Sequence, residues 1–281
     1  MTLKRRSQAA SLAAVDPVWR QVRTEAEEVT RREPELAAFM LANILNHDCL
    51  EHAVCHRLAQ RLDHHDVPAD LIRQTFVGLS DSDPEFGSAV RTDLAAVYDR
   101  DPACSRLIEP LLYFKGFHAL QTYRFAHMLW LGGRRDFALY LQSQSSRVFD
   151  IDIHPAARIG RGIMFDHGSG LVVGETAEIG DNTSVLHGVT LGGSGKEIGN
   201  RHPKIGRGVM IGAGAKILGN ICVGDCARIA AGSVVLKDVP PKTTVAGVPA
   251  RVVGEAGCSQ PSRAMDQLLR GIEPGSLDPA R

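Results

Sequence analysis

The sequence lacks several features that would identify common classes of protein. Aromatic residues make up 5% of its 281 residues, and Lys plus Arg equal Asp plus Glu at 32 each, so the formal net charge is zero. A chain without excess charge gives no electrostatic reason to expect nucleic acid or an anionic membrane as a partner. No apolar run approaches the roughly 20 residues of a membrane-spanning helix. We therefore predict a cytoplasmic protein with one or two ordinary hydrophobic cores.

Signals of secretion and of metal binding are also weak. The six cysteines form neither a CxxC pair nor a dense framework, which predicts reduced thiols rather than disulfides or a zinc site. The basic N-terminus is followed by a short Ala-rich stretch and then by Asp16-Pro17, a pattern that does not fit a secretory signal. We expect no metal cofactor.

The first half of the chain has helical periodicity. Asp16 is a suitable N-cap, and Pro17 is tolerated in a first helical turn. Val22 and Val29 then share one helix face, and similar spacing continues through further segments separated by short polar breaks. The sequence predicts an all-α domain over residues 1–147.

The second half has a period of six residues. Its repeating aliphatic positions are Ile153, Ile159, Phe165, Val173, Ile179, Val185, Leu191, Ile205, Ile211, Ile217, Val223, Ile229 and Val235. This period fits neither a helix nor a hairpin and is typical of a parallel β-helix, in which each hexad forms one short strand and a turn. We predict an α+β protein with this β-helix at 148–254 and a flexible tail at 255–281.

The repeat is broken at two places. Eight residues rather than six separate Phe165 from Val173, where the sequence reads FDHGSG, and fourteen separate Leu191 from Ile205, where it reads GGSGKEIGNRHP. Insertions on one face of a solenoid tend to build its binding surface. Both breaks contain histidine, so we expect the functional site there.

Several residues with acid–base or charged side chains lie at or near the breaks: Asp152, Asp166, His167, Arg201 and His202. A neutral imidazole is the usual proton acceptor for a hydroxyl, and a carboxylate on its other nitrogen fixes the tautomer. Neighbouring side chains diverge on an extended backbone, so Asp152 is the better partner for His167 and Asp166 is left to face a substrate amine. The alternative for any single histidine is a turn or surface role, which we assign to His154 and His187.

Four segments of the repeat region resemble serine O-acetyltransferases of bacterial cysteine biosynthesis. They read DIHPAARIGRGIMFDHGSGLVVGETAEIGD, VTLGGSGK, RHPKIGRGVMIGAGAKILGNICVG and AAGSVVLKDVPPKTTVAGVPARVVG. The helical half agrees through RDPAC, PLLYFKGFHALQTYR and HMLW. Hexapeptide motifs occur in many acyltransferases, but their combination with this helical block is specific to the family. The resemblance covers about residues 16–272.

The resemblance implies a left-handed β-helix that packs as a homotrimer, with two trimers meeting as a homohexamer. It implies acetyl transfer from acetyl-CoA, the co-substrate, to the hydroxyl of L-serine, the first step of cysteine biosynthesis from serine. No metal takes part, and L-cysteine is the expected feedback inhibitor.

The resemblance also assigns roles to individual residues. His167 is the catalytic residue and Asp152 its partner. The residues implied for serine binding are Asp101 of RDPA, Asp166, Arg201 and His202. Those implied to lie along the acetyl-CoA groove are Gly193, Ala213 and Ala231.

The C-terminus departs from the family. There, a tail ending in Ile enters the active site of O-acetylserine sulfhydrylase. Here Gly271-Ile272 reaches the family's usual end, but EPGSLDPAR follows, so Ile272 lacks the free carboxylate that such capture uses. We expect binding to the sulfhydrylase to be weak or absent.

Three other functions are weighed against this one. Another hexapeptide acyltransferase, with a sugar or xenobiotic acceptor, would share the repeats but generally lack the helical half. A γ-class carbonic anhydrase needs three zinc-binding histidines, and that family's close pair, five residues apart, is missing among His154, His167, His187 and His202. A non-enzymatic solenoid scaffold leaves the clustering of Asp and His at the breaks unexplained.

Overall fold

The computed structural model describes residues 16–195 and 198–268, a helical region followed by a parallel β-helix. The helices are α1 (Pro17–Arg32), a 3-10 helix (Pro34–Leu36), α2 (Ala37–Met40), a π-helix (Leu41–Leu45), α3 (Leu50–Arg61), α4 (Ala69–Ser82), α5 (Pro84–Arg100), α6 (Ile108–Leu112), α7 (Lys115–Leu131), α8 (Arg135–Phe149) and, after the β-helix, α9 (Pro261–Ala264). The predicted extension after Ile272 lies outside the described residues. In the described ranges, no helix has the length and apolarity needed to cross a membrane.

The first helix forms as the sequence predicts. The carboxylate of Asp16 accepts hydrogen bonds from the backbone N–H groups of Val18 and Trp19, both at 3.1 Å, which satisfies two donors that the helix leaves unpaired. The face that carries Val22 and Val29 is buried. This helical region shares one continuous hydrophobic core with the β-helix.

The β-helix consists of short strands stacked in three parallel sheets. The strands are β1 (Ile151–Ile153), β2 (Arg158–Ile159), β3 (Met164–Asp166), β4 (Leu171–Val173), β5 (Glu178–Ile179), β6 (Ser184–Leu186), β7 (Thr190–Gly192), β8 (Lys204–Ile205), β9 (Met210–Ile211), β10 (Lys216–Leu218), β11 (Cys222–Val223), β12 (Arg228–Ile229), β13 (Val234–Val235), β14 (Thr243–Gly247) and β15 (Ala250–Glu255). The first sheet runs β1-β4-β7-β10-β13 and the second β2-β5-β8-β11. The third runs β3-β6-β9-β12-β14 and ends with β15, which is antiparallel.

The aliphatic residues that recur every six positions form the core of the β-helix. Of the thirteen predicted positions, twelve are buried, and Ile159 is partly buried against the same core. The structure therefore confirms the α+β fold class, with helices first and a parallel β-helix after them. The domain limits 1–147, 148–254 and 255–281 remain predictions. In the described part of the predicted tail, α9 buries Pro261 and Ser262.

Both breaks in the repeat are structural. Four residues, 167–170, separate β3 from β4, whereas three residues, 187–189, separate β6 from β7 one turn later. The second break is longer, because β7 ends at Gly192 and β8 begins only at Lys204. The first break lies at the edge between the third and first sheets, and the second lies between the first and second sheets. We call the edge between the third and first sheets, which carries residues 167–170, the base edge. We call the edge between the first and second sheets, which carries the longer break, the cation edge.

A buried ionic network joins the helical region to the first turn of the β-helix. Asp93 of α5 is fully buried, and its carboxylate lies 2.7 Å from the guanidinium of Arg124 of α7. It also accepts hydrogen bonds from Gln121 at 2.9 Å and from the backbone N–H of Ile163 at 3.1 Å. Arg124 in turn donates to the carbonyl of Gly160 at 2.8 Å. The network fixes the chain just before β3, the strand that leads to His167.

Candidate active site

The HGSG turn lifts His167 out of the stacked strands. His167 has a φ of 53°, and the glycines at 168 and 170 are also left-handed. A side chain at Gly168 would approach the Cδ1 atom of Ile151 to 2.4 Å, so the turn needs glycine there. The His167 side chain is 77% exposed. The broken repeat thus places an accessible imidazole at the base edge.

Two carboxylates lie with this imidazole. The Nε2 atom of His167 is 3.9 Å from the Oδ1 atom of Asp166, which is too long for a hydrogen bond. Burial raises the pKa of Asp166, and the charge of nearby Asp101 raises it further, while His167 opposes the shift. Asp101 ends α5 and is held by a 2.8 Å hydrogen bond from the backbone N–H of Ala103. The site therefore keeps two carboxylates close together in a partly buried place.

Two cavities meet at these residues. One, of about 530 Å³, lies between the helical region and β3 and includes Asp101, Lys115, Asp166 and His167 in its lining. The other, of about 800 Å³, is also lined by Asp101, Asp166 and His167, and Met265 closes part of it. Both volumes fall in the range of small-molecule sites. Both cavities therefore border the imidazole at the base edge.

The base edge continues below His167 as a line of stacked residues. His187 occupies the next position in register, because Asp166 pairs with Leu186, and the two histidine rings are 6.0 Å apart. Ala213 and Ala231 follow in the next two turns, each two residues beyond the paired Ile211 and Ile229. Ala213 is half-buried and Ala231 is exposed. Small residues at this edge leave space beside the backbone for an extended ligand.

Arg201 and His202 lie at the cation edge. The guanidinium of Arg201 is 2.7 Å from the carboxylate of Glu175. The hydroxyl of Thr176 accepts from the backbone N–H groups of Arg201 and His202 at 3.0 and 3.1 Å. His202 is 7% exposed, and its pKa is lowered first by burial and then by Arg201. These contacts fix the end of the long loop on the β-helix and place the guanidinium of Arg201 at the cation edge.

Asp152 and Gly193 also belong to the cation edge. Asp152 accepts a 2.7 Å hydrogen bond from the side chain of Gln142. Burial lowers the pKa of His154, and the charges of Glu175 and then of Asp152 oppose that shift. Gly193 packs beside Arg201. Among the described residues, no hydrogen bond or ion pair joins Asp152 to His167 within one chain.

The single chain thus brings together only part of the predicted site. It unites Asp101, Asp166 and His167 at the base edge, together with the line through Ala213 and Ala231. Asp152, Gly193, Arg201 and His202 are grouped at the cation edge instead. Sequence analysis missed two residues near the base, His187 and Lys115. The position of His187 one turn after His167 in the strand register is the signal that identifies it. Lys115 belongs to the FKGFH segment of the helical half, and its ammonium group donates a hydrogen bond to Ser169 of the HGSG turn.

Within one chain, the four histidines of the repeat region are divided between the two edges. His167 and His187 lie at the base edge, while His154 and His202 lie at the cation edge, where the charge of His154 adds to the lowering of the His202 pKa by burial and by Arg201. In the described part of the chain, the group of donors close enough to share an ion is His64, His65 and Asp66, far from the β-helix in sequence.

Comparison with known proteins agrees with both halves of the structure. The family described as "Serine acetyltransferase, N-terminal" matches residues 18–122, and the family described as "Bacterial transferase hexapeptide (six repeats)" matches residues 202–237. The serine acetyltransferase of Salmonella typhimurium is 54% identical over 255 residues, which are 91% of this chain and 93% of that protein.

Two solved structures are similar along nearly their whole length. The serine acetyltransferase of Brucella abortus strain S19 in complex with coenzyme A is 62% identical, with a TM-score of 0.86, over 88% of this chain and 99% of that one. A serine acetyltransferase in complex with cysteine is 51% identical, with a TM-score of 0.88, over 89% of this chain and 98% of that one.

The fold and the matched repeats place the protein among the hexapeptide-repeat acyltransferases. Within that class, the helical region and the extent of the identities are decisive. The chain belongs to the serine acetyltransferase family.

Proposed function

We propose that the protein transfers the acetyl group of acetyl-CoA to the hydroxyl of L-serine, with His167 as the general base. The observation that carries the proposal is the exposed imidazole of His167, lifted out of the repeat beside Asp101 and Asp166 where two cavities meet. A base in this position can take the proton of a bound hydroxyl. The similarity to serine acetyltransferases supports serine as the acceptor.

The reaction needs one base and no acyl carrier. The serine oxygen attacks the thioester carbonyl carbon while its proton passes to His167. The carbon–sulfur bond then breaks, and the proton passes from His167 to the sulfur of the departing CoA. O-acetyl-L-serine and CoA are the products. Ala213 and Ala231 extend along the same edge, where we place the CoA chain, and the CoA complex of the Brucella relative supports that ligand.

Serine binding requires both edges. The carboxylates of Asp101 and Asp166 suit its ammonium group, and Arg201, with His202 beside it, suits its carboxylate through a charge-assisted pair. Arg201 lies at the cation edge, whereas the base lies at the base edge. In a cyclic trimer each subunit presents one edge to its neighbour's other edge, so three equivalent sites form between subunits. We therefore propose a homotrimer in which Asp152 and Gly193 also act across the interface, with pairing of trimers into a hexamer as the further prediction.

The same site explains inhibition by L-cysteine. Cysteine carries the same ammonium and carboxylate as serine, and its thiol takes the place of the hydroxyl, so the two compete. The cysteine complex of a 51% identical relative supports binding of this ligand. Feedback by cysteine fits a cytoplasmic enzyme that starts cysteine biosynthesis from serine.

Mixed assemblies test both the residues and the location of the site. His167→Ala and Arg201→Ala chains are each expected to be nearly inactive in thiol release from acetyl-CoA and L-serine at low serine concentration. Coexpressed chains that assemble at random should regain about a quarter of the wild-type sites, because an intact interface pairs one subunit's His167 with its neighbour's Arg201. Threonine and water in place of serine are the substrate controls.

The result divides the possibilities clearly. If the mixed assemblies stay as inactive as the separate variants, the site does not combine these residues from two chains. If His167→Ala alone keeps near-normal turnover, the base is a different group. If thiol release does not depend on serine, the acceptor is wrong.

A further inference from the structure

The loop between α3 and α4 carries a compact group of metal-ligating side chains far from the proposed active site. The rings of His64 and His65 have their centroids 4.0 Å apart. The Nδ1 atom of His64 lies 3.1 Å from one carboxylate oxygen of Asp66, and the Nε2 atom of His65 lies 3.0 Å from the other. One donor atom from each of the three residues lies within 4.8 Å of the other two.

These separations fit a shared metal ion. Two ligands at about 2.1 Å from an ion lie about 3.0 Å apart at a right angle and about 3.4 Å apart at the tetrahedral angle. Both nitrogen–oxygen separations in the group, 3.1 and 3.0 Å, lie at the short end of that range. Two imidazoles with one carboxylate suit zinc, copper or nickel, whereas magnesium and calcium prefer oxygen ligands alone.

The loop is held in place on both sides of the group. Leu62 is fully buried, and Val67 packs against the core. Between them, the carboxylate of Asp63 accepts a 2.7 Å hydrogen bond from the backbone N–H of Ala69 at the start of α4. The His65 side chain is 81% exposed and that of Asp66 61%. The donors are therefore accessible from solvent on a loop that is already fixed.

We propose that His64, His65 and Asp66 bind a divalent transition-metal ion of the group zinc, copper and nickel, and zinc is the ion used to test it. The site lies in the helical region and is separate from acetyl transfer. Because the ion binds the folded loop, it stabilises the helical region against unfolding.

The test counts zinc bound to the untagged full-length chain by equilibrium dialysis. Wild-type protein should hold about one more zinc ion per chain than the His64→Asn/His65→Asn variant. The matched control is His52→Asn. It breaks another His–Asp pair, in which the Nε2 atom of His52 lies 3.0 Å from the Oδ1 atom of Asp81, and it should leave zinc binding unchanged. Magnesium in place of zinc should not bind at this site, and zinc should raise the Tm of wild type but not of the double variant.

Equal zinc binding by wild type and the double variant would overturn the proposal, as would loss of zinc in His52→Asn alone. So would wild-type protein that binds none. Circular dichroism checks that the double variant folds. If it does not, His65→Asn alone repeats the test, because this largely exposed side chain contributes little to packing.

Discussion

The two edges of the β-helix differ in how they are built. The base edge combines both regions of the molecule: Asp101 is the C-cap of α5, whereas Asp166 ends β3 and His167 follows it in the turn. The cation edge draws Glu175, Thr176 and Arg201 from the β-helix alone. The proposed base and two carboxylates lie at one edge, whereas the proposed carboxylate-binding guanidinium lies at the other. This difference supports the proposal that the functional unit is a pair of edges from neighbouring subunits.

The edges also differ in electrostatic state. At the base edge, partial burial and a neighbouring carboxylate disfavour the charge of Asp166. At the cation edge, Arg201 already has Glu175 as a partner, and that contact lowers the pKa of Glu175. The charge of Asp166 is therefore disfavoured in the folded chain, while the guanidinium of Arg201 already has a carboxylate partner. A substrate ammonium would stabilise the ionised form of Asp166, and a substrate carboxylate would share the guanidinium of Arg201 with Glu175.

Of the substitutions that test the two edges, removal of the base should have the largest effect on activity. His167→Ala is expected to lower turnover by about 10²–10⁴, because no other group would accept the hydroxyl proton. Asp152→Asn should cost less, since it orients the base, and the two losses should not add because the residues act together. Thiol release at saturating serine and acetyl-CoA is the measurement. An unchanged turnover in His167→Ala would contradict its role.

Breaking the network beneath the base edge should mainly affect folding. Asp93→Ala leaves Arg124 without its carboxylate in a buried place, which should cost about 3–5 kcal/mol of unfolding free energy. Urea denaturation measures the loss. The control is Arg158→Ala, which removes an ion pair with Glu178 at the surface and should cost under about 1 kcal/mol. Equal losses in the two variants would show that the Asp93 network is not the stronger tie.

Removing the guanidinium should test the cation edge. Arg201→Ala is expected to raise the KM for serine by about 10–100-fold, the equivalent of one charge-assisted hydrogen-bonded pair. Inhibition by L-cysteine should weaken by a similar factor, because both ligands present the same carboxylate. Initial rates over a serine series, with and without cysteine, give both values. Weakening of only one ligand would show that the two do not share this contact.

The sequence predicts the fold well because the hexad period directly records an inward-pointing side chain at each turn. It also locates His167 and Arg201, since each lies where that period breaks. The grouping of these residues into two edges was not predictable from spacing, because it depends on which sheets flank each break. For the same reason the expected contact between Asp152 and His167 is not made within one chain. His187 was assigned only a structural role, because its regular position conceals its place directly below His167.

The last prediction concerns the charge of Asp166, where function and stability oppose each other. The pKa of Asp166 is raised in the folded chain. The protonated carboxyl therefore contributes stability at acid pH, and this stability is lost as the pH rises through the folded-state pKa. At neutral pH the ionised carboxylate therefore destabilises the chain. Asp166→Asn should raise the Tm at pH 7, on the order of 1–2 °C, while weakening serine binding. The gain in Tm should shrink as pH falls below the ordinary range of an aspartate, where the wild-type carboxyl is protonated in both states. Thermal unfolding over a pH series, paired with the KM for serine, measures both. No gain at neutral pH would contradict a raised pKa of Asp166 in the folded protein.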